Sequence, residues 1–260
     1  MLKYMILSKR MLMNARLIPP GHVVADIGCD HAKLSIYLVQ NGIAQSVIAM
    51  DIGEGPLQRA KENIRSVGLS DKIECRLSDG ADMLRINNDG KIEADVAVMA
   101  GIGGMLAIDI VKKSEEKFRR MNCFVIQAQS NLDIVRRTMY EMGFVIIDED
   151  MEYEDGKFYT SMKLTDMTHV SHLSDDKKHR DLNLNECESI FGPVMIKKRG
   201  KVFEDYLKFE EKMCQRLVEE LTRNMTDRLK PEDRKGGRLK ELKDRQEMIR
   251  LLSGSTGNGE

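Results

Sequence analysis

Four carboxylates sit where short apolar runs end: Asp26, Asp30, Asp51 and Asp79. Asp26-x-Gly28-x-Asp30 follows the run Val23–Ile27 and precedes a helical pattern, the context in which a glycine motif acquires meaning. Gly28 lets the backbone turn and come close to a ligand. Asp51 ends a second run 25 residues after Asp26, where a carboxylate can accept both hydroxyls of a ribose. Asp79-Gly80 ends a third, placed to meet an exocyclic amino group. Ala100-Gly-Ile-Gly-Gly104 follows a fourth and leaves open space beside a ligand. All four lie at carboxyl ends of expected strands, where an open α/β sheet forms its ligand crevice.

The residue types indicate the charge of that ligand. A loop that cradles phosphates uses small residues and free backbone N–H groups. Here Asp30 and Ala32 occupy the later glycine positions of a dinucleotide fingerprint, and no Lys or Arg stands at a matched position. Such a crevice favours a cation. S-adenosylmethionine (SAM) offers an ammonium, a sulfonium and a ribose, each complemented by carboxylates or carbonyls. A purely structural role makes Asp30 the N-cap of the following helix instead. His31 has no second His or Cys at ligand spacing, and His169, His172 and His179 show no pairing with it, so no metal site is expected. The five cysteines, at 29, 75, 123, 187 and 214, form no C-x-x-C pair and are expected reduced.

The elements that must position these residues follow from periodicity. Strands are expected at Val23–Ile27, Ser46–Asp51, Lys72–Leu77, Ala94–Met99 and Cys123–Gln127, with helices at Lys33–Asn41, Pro56–Val67, Met105–Arg119 and Asn131–Met142. Gly42, Gly68 and Gly143 stand where helices end. Two β-rich runs, Phe144–Tyr153 and Lys157–Leu164, flank Glu154-Asp155-Gly156, a hairpin signal. Parallel strands closed by an antiparallel hairpin are the element order of a class I methyltransferase, a Rossmann-like α/β fold. That domain is expected over residues 1–164.

Residues 165–202 lose this periodicity and are expected as a connector. From Phe203 the apolar residues recur as heptads through Leu207, Cys214, Leu217 and Leu221, with Glu210 interrupting the seam. Leu239, Leu242, Ile249 and Leu252 form a second stripe after a break around Pro231 and Gly236-Gly237. Two narrow stripes bury best against each other, so 203–252 is expected as a coiled-coil-like helical hairpin, with a disordered tail at 253–260. Lys197 to Arg250 holds 17 basic and 12 acidic residues, an excess of +5 in a chain whose total is −1. A charge-rich helix is often only a solvated face; an excess of one sign attached to a neutral protein favours an anionic partner. No apolar run approaches the roughly 18 residues of a membrane span, and MLKYMILSKR places its charges after its apolar patch, unlike a secretory signal. A cytoplasmic protein is expected.

Together the motifs resemble the bacterial tRNA adenine N1-methyltransferases called TrmK, which modify the adenine at tRNA position 22. The resemblance rests on Leu7-Ser-Lys-Arg10, Ala25-Asp-Ile-Gly-Cys-Asp-His31, Asp51-Ile-Gly-Glu-Gly-Pro56, Ser78-Asp-Gly80, Ala100-Gly-Ile-Gly-Gly104, Gln127, Glu154-Asp-Gly-Lys-Phe-Tyr159 and Gly192-Pro193. It runs through almost the whole chain in one order. It implies SAM lying along the first three strands, against Asp26, Gly28, Cys29, Asp30, His31, Asp51, Ile52, Asp79, Gly80, Ala100 and Gly101. It also implies tRNA spanning both domains, with Lys9, Arg10, Gly103 and Gln127 on the substrate side and the +5 segment on phosphates. Gln127-Ala128-Gln129 stands where the family commonly has Gln-Pro-Asn, leaving open which polar side chain holds the target base. Asp30 is the catalytic candidate, in competition with a role in cofactor binding or capping. A monomer is expected, with dimerisation through the helices as the alternative. Two other functions compete: an RNA-binding module that keeps SAM as a structural ligand, and an NAD-dependent oxidoreductase, which the missing G-x-G-x-x-G opposes.

Overall fold

The computed structural model describes residues 4–170, 184–224 and 234–254, and the chain divides into two compact units, Met1–Val194 and Met195–Glu260. The first unit is built on a seven-stranded sheet: β1 (His22–Ile27), β2 (Ala44–Asp51), β3 (Ile73–Leu77), β4 (Val96–Ile102), β5 (Cys123–Ala128), β6 (Phe144–Glu154) and β7 (Lys157–Asp166). Their spatial order is β3-β2-β1-β4-β5-β7-β6. The first five are parallel, and β7 runs antiparallel to both β5 and β6. The order reverses between β1 and β4, which opens a crevice at their carboxyl ends.

Helices cover both faces, so the central strands are apolar throughout rather than alternating. One face carries Ala25, Ile27, Met99 and Ile126 against α4 (Gly104–Lys113), α5 (Glu115–Arg120) and α6 (Leu132–Glu141). The other carries Val24, Val98 and Val125 against α1 (Lys9–Leu17), α2 (Lys33–Gln40) and α3 (Glu54–Ser66). The β6–β7 hairpin turns through Asp155 and Gly156, with φ of +49° and +79° and Glu154 paired to Lys157. Positive φ at both central residues matches the twist of the strands.

The structure redraws several elements. The single helix expected at Met105–Arg119 breaks at Ser114, which ends α4 and starts α5. The fourth strand begins at Val96 rather than Ala94 and runs past Met99 into the glycine segment, with a register shift between Ala100 and Ile102. Helix α1 had no apolar stripe to announce it; Ser8 caps it by accepting from Met11 N at 3.4 Å. The stretch expected as a connector begins with the last two residues of β7 and carries three short helices among its described residues, α7 (Met167–Val170), α8 (Glu186–Phe191) and α9 (Pro193–Lys198).

In the second unit, α10 (Lys201–Asn224) and α11 (Arg234–Gly254) pack antiparallel. Phe203, Leu207 and Cys214 of α10 are buried, as are Leu242 and Ile249 of α11. Glu210, the residue that interrupts the heptads, meets Arg245 of α11 at 2.6 Å. Gly236-Gly237, expected in the break, lies inside α11, whereas Pro231 and most of the expected tail fall outside the described residues.

A buried ion pair fastens the end of the first unit. Arg136 of α6 and Glu149 of β6 are almost inaccessible and meet at 3.0 Å. The same guanidinium donates to the carbonyls of Ser189 and Ile190, each at 2.9 Å, and Glu149 accepts from Val194 N at 3.0 Å. Gly192, at φ +91°, leaves room for that carboxylate, which would lie 2.5 Å from an added Cβ. Removing one partner of such a pair leaves a buried charge without compensation. Arg136→Met should therefore lower unfolding free energy by about 3–5 kcal/mol, measured by urea denaturation followed by circular dichroism.

Candidate functional site

The carboxyl ends of β1 and β2 bring two acids together. Asp26, on the α2 side of β1, is 3% exposed and accepts from the Ser35 hydroxyl at 2.5 Å. Burial pushes its carboxyl up to about 6, opposed by the bonds from Ser35 and reinforced by the nearby charge of Asp51. Asp51 accepts from Asp30 N at 3.1 Å and from Gly53 N at 2.8 Å, one bond to each oxygen. Each oxygen keeps a lone pair for another donor.

The loop between β1 and α2 is shaped by three left-handed residues: Gly28 at φ +75°, Asp30 at +49° and Ala32 at +55°. Gly28 N and Cys29 N both donate to Met50 O, which ties the loop to β2. Ala32, not Asp30, is the N-cap residue of α2 and makes no side-chain cap. The capping role considered for Asp30 is thereby removed. Its side chain is 72% exposed, with one oxygen 3.4 Å from His31 Nε2. The His31 carbonyl accepts from Asn63 at 3.0 Å, which anchors the loop to α3. Cys29 is buried, and desolvation raises its thiol pKa, so it is a packing residue rather than a nucleophile.

Ile52 follows Asp51 and is 71% exposed, an apolar side chain left beside the acids. Asp79 differs from the sequence expectation of an unpaired acid. Lys113 Nζ lies 2.7 Å from Asp79 and 2.6 Å from Asp82. Their separation of 34 residues hid this partner from any reading of local spacing. Gly80, at φ +58°, packs against Ile110 of the same helix.

On the other side of the crevice, β4 and β5 place Ala100 opposite Gln127. Gly101, at φ +79°, has its carbonyl held by Gln129 Nε2 at 2.9 Å. Gly103 is the N-cap of α4, with open space where a Cβ would point. Gln127 is fully buried, and neither polar atom of its side chain has a hydrogen-bond partner. Arg10 stacks on Tyr159, 5.0 Å from the ring centroid, and Lys9 N donates to Glu154 at 2.7 Å. Ser35 was not among the residues expected at the site, and the bond from Gln129 to Gly101 O was not expected either. The first was visible only as a lone hydroxyl in the apolar run Leu34-Ser35-Ile36. Among the described residues, no group of His, Cys, Asp or Glu gathers as a metal site.

One buried and one half-buried acid, a close-approach glycine, an exposed isoleucine and small residues along β4 suit a cofactor with a cationic end and a nucleoside end. Residues 7–162 match the family model described as a methyltransferase domain. The chain is 31% identical over 245 residues to the tRNA (adenine(22)-N(1))-methyltransferase of Bacillus subtilis, covering 94% of this chain and 95% of that one. It is similar to the crystal structure of the B. subtilis M1A22 tRNA methyltransferase TrmK, with TM-score 0.77, 28% identity and coverage of 95% and 99%. It is similar also to Streptococcus pneumoniae Sp1610, a putative tRNA (m1A22) methyltransferase in complex with SAM, with TM-score 0.75, 26% identity and the same coverage.

The Asp26–Ser35 contact has a direct test. Ser35→Ala removes the hydroxyl bond that favours the ionised form and keeps the backbone one, so the Asp26 carboxyl should titrate above its value of about 6. Carboxyl carbon chemical shifts followed by NMR across pH would read it, and an unchanged or lower value would contradict this account.

Proposed function

The chain belongs to the tRNA (adenine(22)-N(1))-methyltransferase family, and from that premise we propose that it transfers the methyl group of SAM to N1 of adenine 22 in tRNA. The observation that carries this reading is the pair Asp26 and Asp51 at the switch point, a crevice whose charge suits a cationic nucleoside cofactor. Asp26 answers the ammonium, the free lone pairs of Asp51 accept the ribose hydroxyls, and Ile52 gives the adenine ring an apolar face. Gly28 and Cys29 let the backbone approach, His31 and Asp30 close one side, and Asp79, Gly80, Ala100 and Gly101 line the rest. Asp79 brings its Lys113 partner with it, so its role is one of shape and hydrogen bonding more than net charge.

Bound SAM supplies a methyl group on a positively charged sulfur. N1 of adenine already has an in-plane lone pair, so the chain needs no general base to create the nucleophile. Catalysis then rests on alignment and on electrostatics around the moving charge. Positive charge passes from sulfur to the base, and we assign the exposed Asp30 carboxylate the role of complementing it. N1 lies on the Watson–Crick edge, so the adenine must leave its stack before it reacts. Lys9, Arg10, Gly103 and Gln127 form the side on which it arrives. The +5 helical unit meets phosphates elsewhere on the tRNA without reading sequence.

We place the enzyme in the cytoplasm as a monomer. Among the described residues, no helix is long and apolar enough to cross a membrane.

Incubation with labelled SAM and unmodified bacterial tRNA, followed by nucleoside mass spectrometry and mapping, should give N1-methyladenosine at position 22; its absence would overturn the proposal. The Asp26 carboxyl supplies a pH signature. The form that favours a cation exists above about 6 and is lost below it. SAM affinity measured by calorimetry should therefore weaken from about pH 7 to about pH 5, approaching tenfold per unit at the lower end. Asp26→Asn should bind weakly and with a flat profile. Reversal of the exposed Lys212, Lys240 and Lys243 to Glu should weaken tRNA binding and flatten its salt dependence while SAM affinity holds. Unchanged tRNA affinity at low salt would remove the helical unit from the RNA interface.

A further inference from the structure

The α1 face of β5 and β7 holds a polar cluster that the reaction described above does not use. Asn14 of α1 and Ser161 of β7 are both fully buried, and the Ser161 hydroxyl donates to Asn14 Oδ1 at 2.6 Å. Asn14 Nδ2 donates to the Arg10 carbonyl at 3.1 Å, one helical turn earlier. Arg10 lies on the ring of Tyr159, two residues from Ser161 on the same face of β7. Asn14 and Ser161 thus fix the register of α1 on β7, and with it the position of Arg10.

The same bond has a consequence for Gln127. Pairing of Val125 with Lys163 and of Ile126 with Met162 puts Gln127 opposite Ser161 at the next step of the ladder. Side chains at opposed positions share a face, with Cβ atoms about 5 Å apart. Ser161 is therefore the neighbour placed to donate to Gln127 Oε1, yet its one proton is committed to Asn14, whose amide is committed to Arg10 O. The Gln127 carboxamide keeps both polar atoms unpaired, and Arg10 Nε is buried without a partner as well. A buried polar group left unpaired costs about 1–3 kcal/mol, and such groups call for a ligand or another specific explanation.

We propose that Asn14 and Ser161 are positioning residues that withhold the Ser161 proton from Gln127 Oε1, keeping that oxygen free to accept from N6 as the carboxamide reads the N6 and N7 edge of the target adenine. The inference rests on the methyltransferase reading of this site. A carboxamide matches that edge, its oxygen accepting from the N6 amino group and its nitrogen donating to N7. N1 then stays unobstructed toward the methyl donor. Guanine presents O6 and N7, both acceptors, so the carboxamide oxygen would face O6 without a proton between them.

The test compares the full-length wild type with Asn14→Val, Asn14→Val/Ser161→Val and Gln127→Leu. Substrates are tRNA carrying adenine or 7-deazaadenine at position 22; readouts are kcat, KM for tRNA, SAM affinity and melting temperature. Asn14→Val frees the Ser161 hydroxyl to bond Gln127, so kcat/KM should fall about tenfold, the size of one hydrogen bond. The double variant removes the competing hydroxyl and should recover much of that loss, with SAM affinity equal to wild type in every protein. The wild type should lose about tenfold on 7-deazaadenine, whereas Gln127→Leu, already slow, should not distinguish the two bases. Losses matching the unfolded fraction, a double variant no better than Asn14→Val, or a wild type indifferent to 7-deazaadenine would each overturn the inference. A wild type that forms no N1-methyladenosine on ordinary tRNA would overturn the functional reading beneath it.

Discussion

The site depends on a carboxylate that the fold buries at the end of β1. Asp26 has little water, one hydroxyl partner and a second acid nearby, and its carboxyl is raised to about 6 in consequence. A group so placed disfavours its own charge until a cation arrives. The surrounding backbone is arranged to keep it there. Gly28 and Cys29 hang on Met50 O, Asp30 N is held by Asp51, and Ala32 accepts a left-handed conformation that an L residue adopts at a cost of roughly 1–2 kcal/mol. Strain and unfavourable electrostatics concentrated in one loop are common at ligand sites, where binding offsets them.

Much of this was legible in the sequence because it follows from local rules. Strands that end in an acid, a glycine after β1 and apolar runs covered on both faces placed Asp26, Asp51 and the Gly101–Gly104 segment at one end of the sheet. Contacts between residues far apart in sequence were not legible. Lys113 neutralises Asp79 across 34 residues, Ser35 faces Asp26 only because α2 folds back on β1, and Ser161 reaches Asn14 across 147. Helix boundaries failed where a single residue serves two elements, as Ser114 does between α4 and α5. A heptad-breaking Glu210 looked like a defect until Arg245 supplied its partner from the other helix.

That pair bears on how the second unit is specified. An apolar residue in place of Glu210 would lengthen the seam, and stability alone would favour it. A charged residue in the stripe, answered at one position of the partner helix, penalises shifted registers that leave it unmatched. The best-attested use of a polar residue in such a seam is to fix register. Fixed register also fixes which lysines share a face, the spacing on which the proposed phosphate contacts would depend.

The two sides of the crevice face different physical demands. The cofactor side must attract charge, and in the proposed assignment Asp26 and Asp51 supply the attraction. The acceptor side must present a neutral base whose nucleophilic lone pair exists before it arrives, so a proton-abstracting group would add nothing. What it needs is orientation, and neutral amides and hydroxyls locked in a fixed pattern orient a heterocycle without competing for its charge. Asn14, Ser161 and Gln127 are all uncharged and fully buried, whereas Asp26 and Asp51 lie across the sheet at the ends of β1 and β2. This division of residue types follows from the chemistry of transfer to N1, where the charge to be managed arrives with the cofactor and leaves on the product.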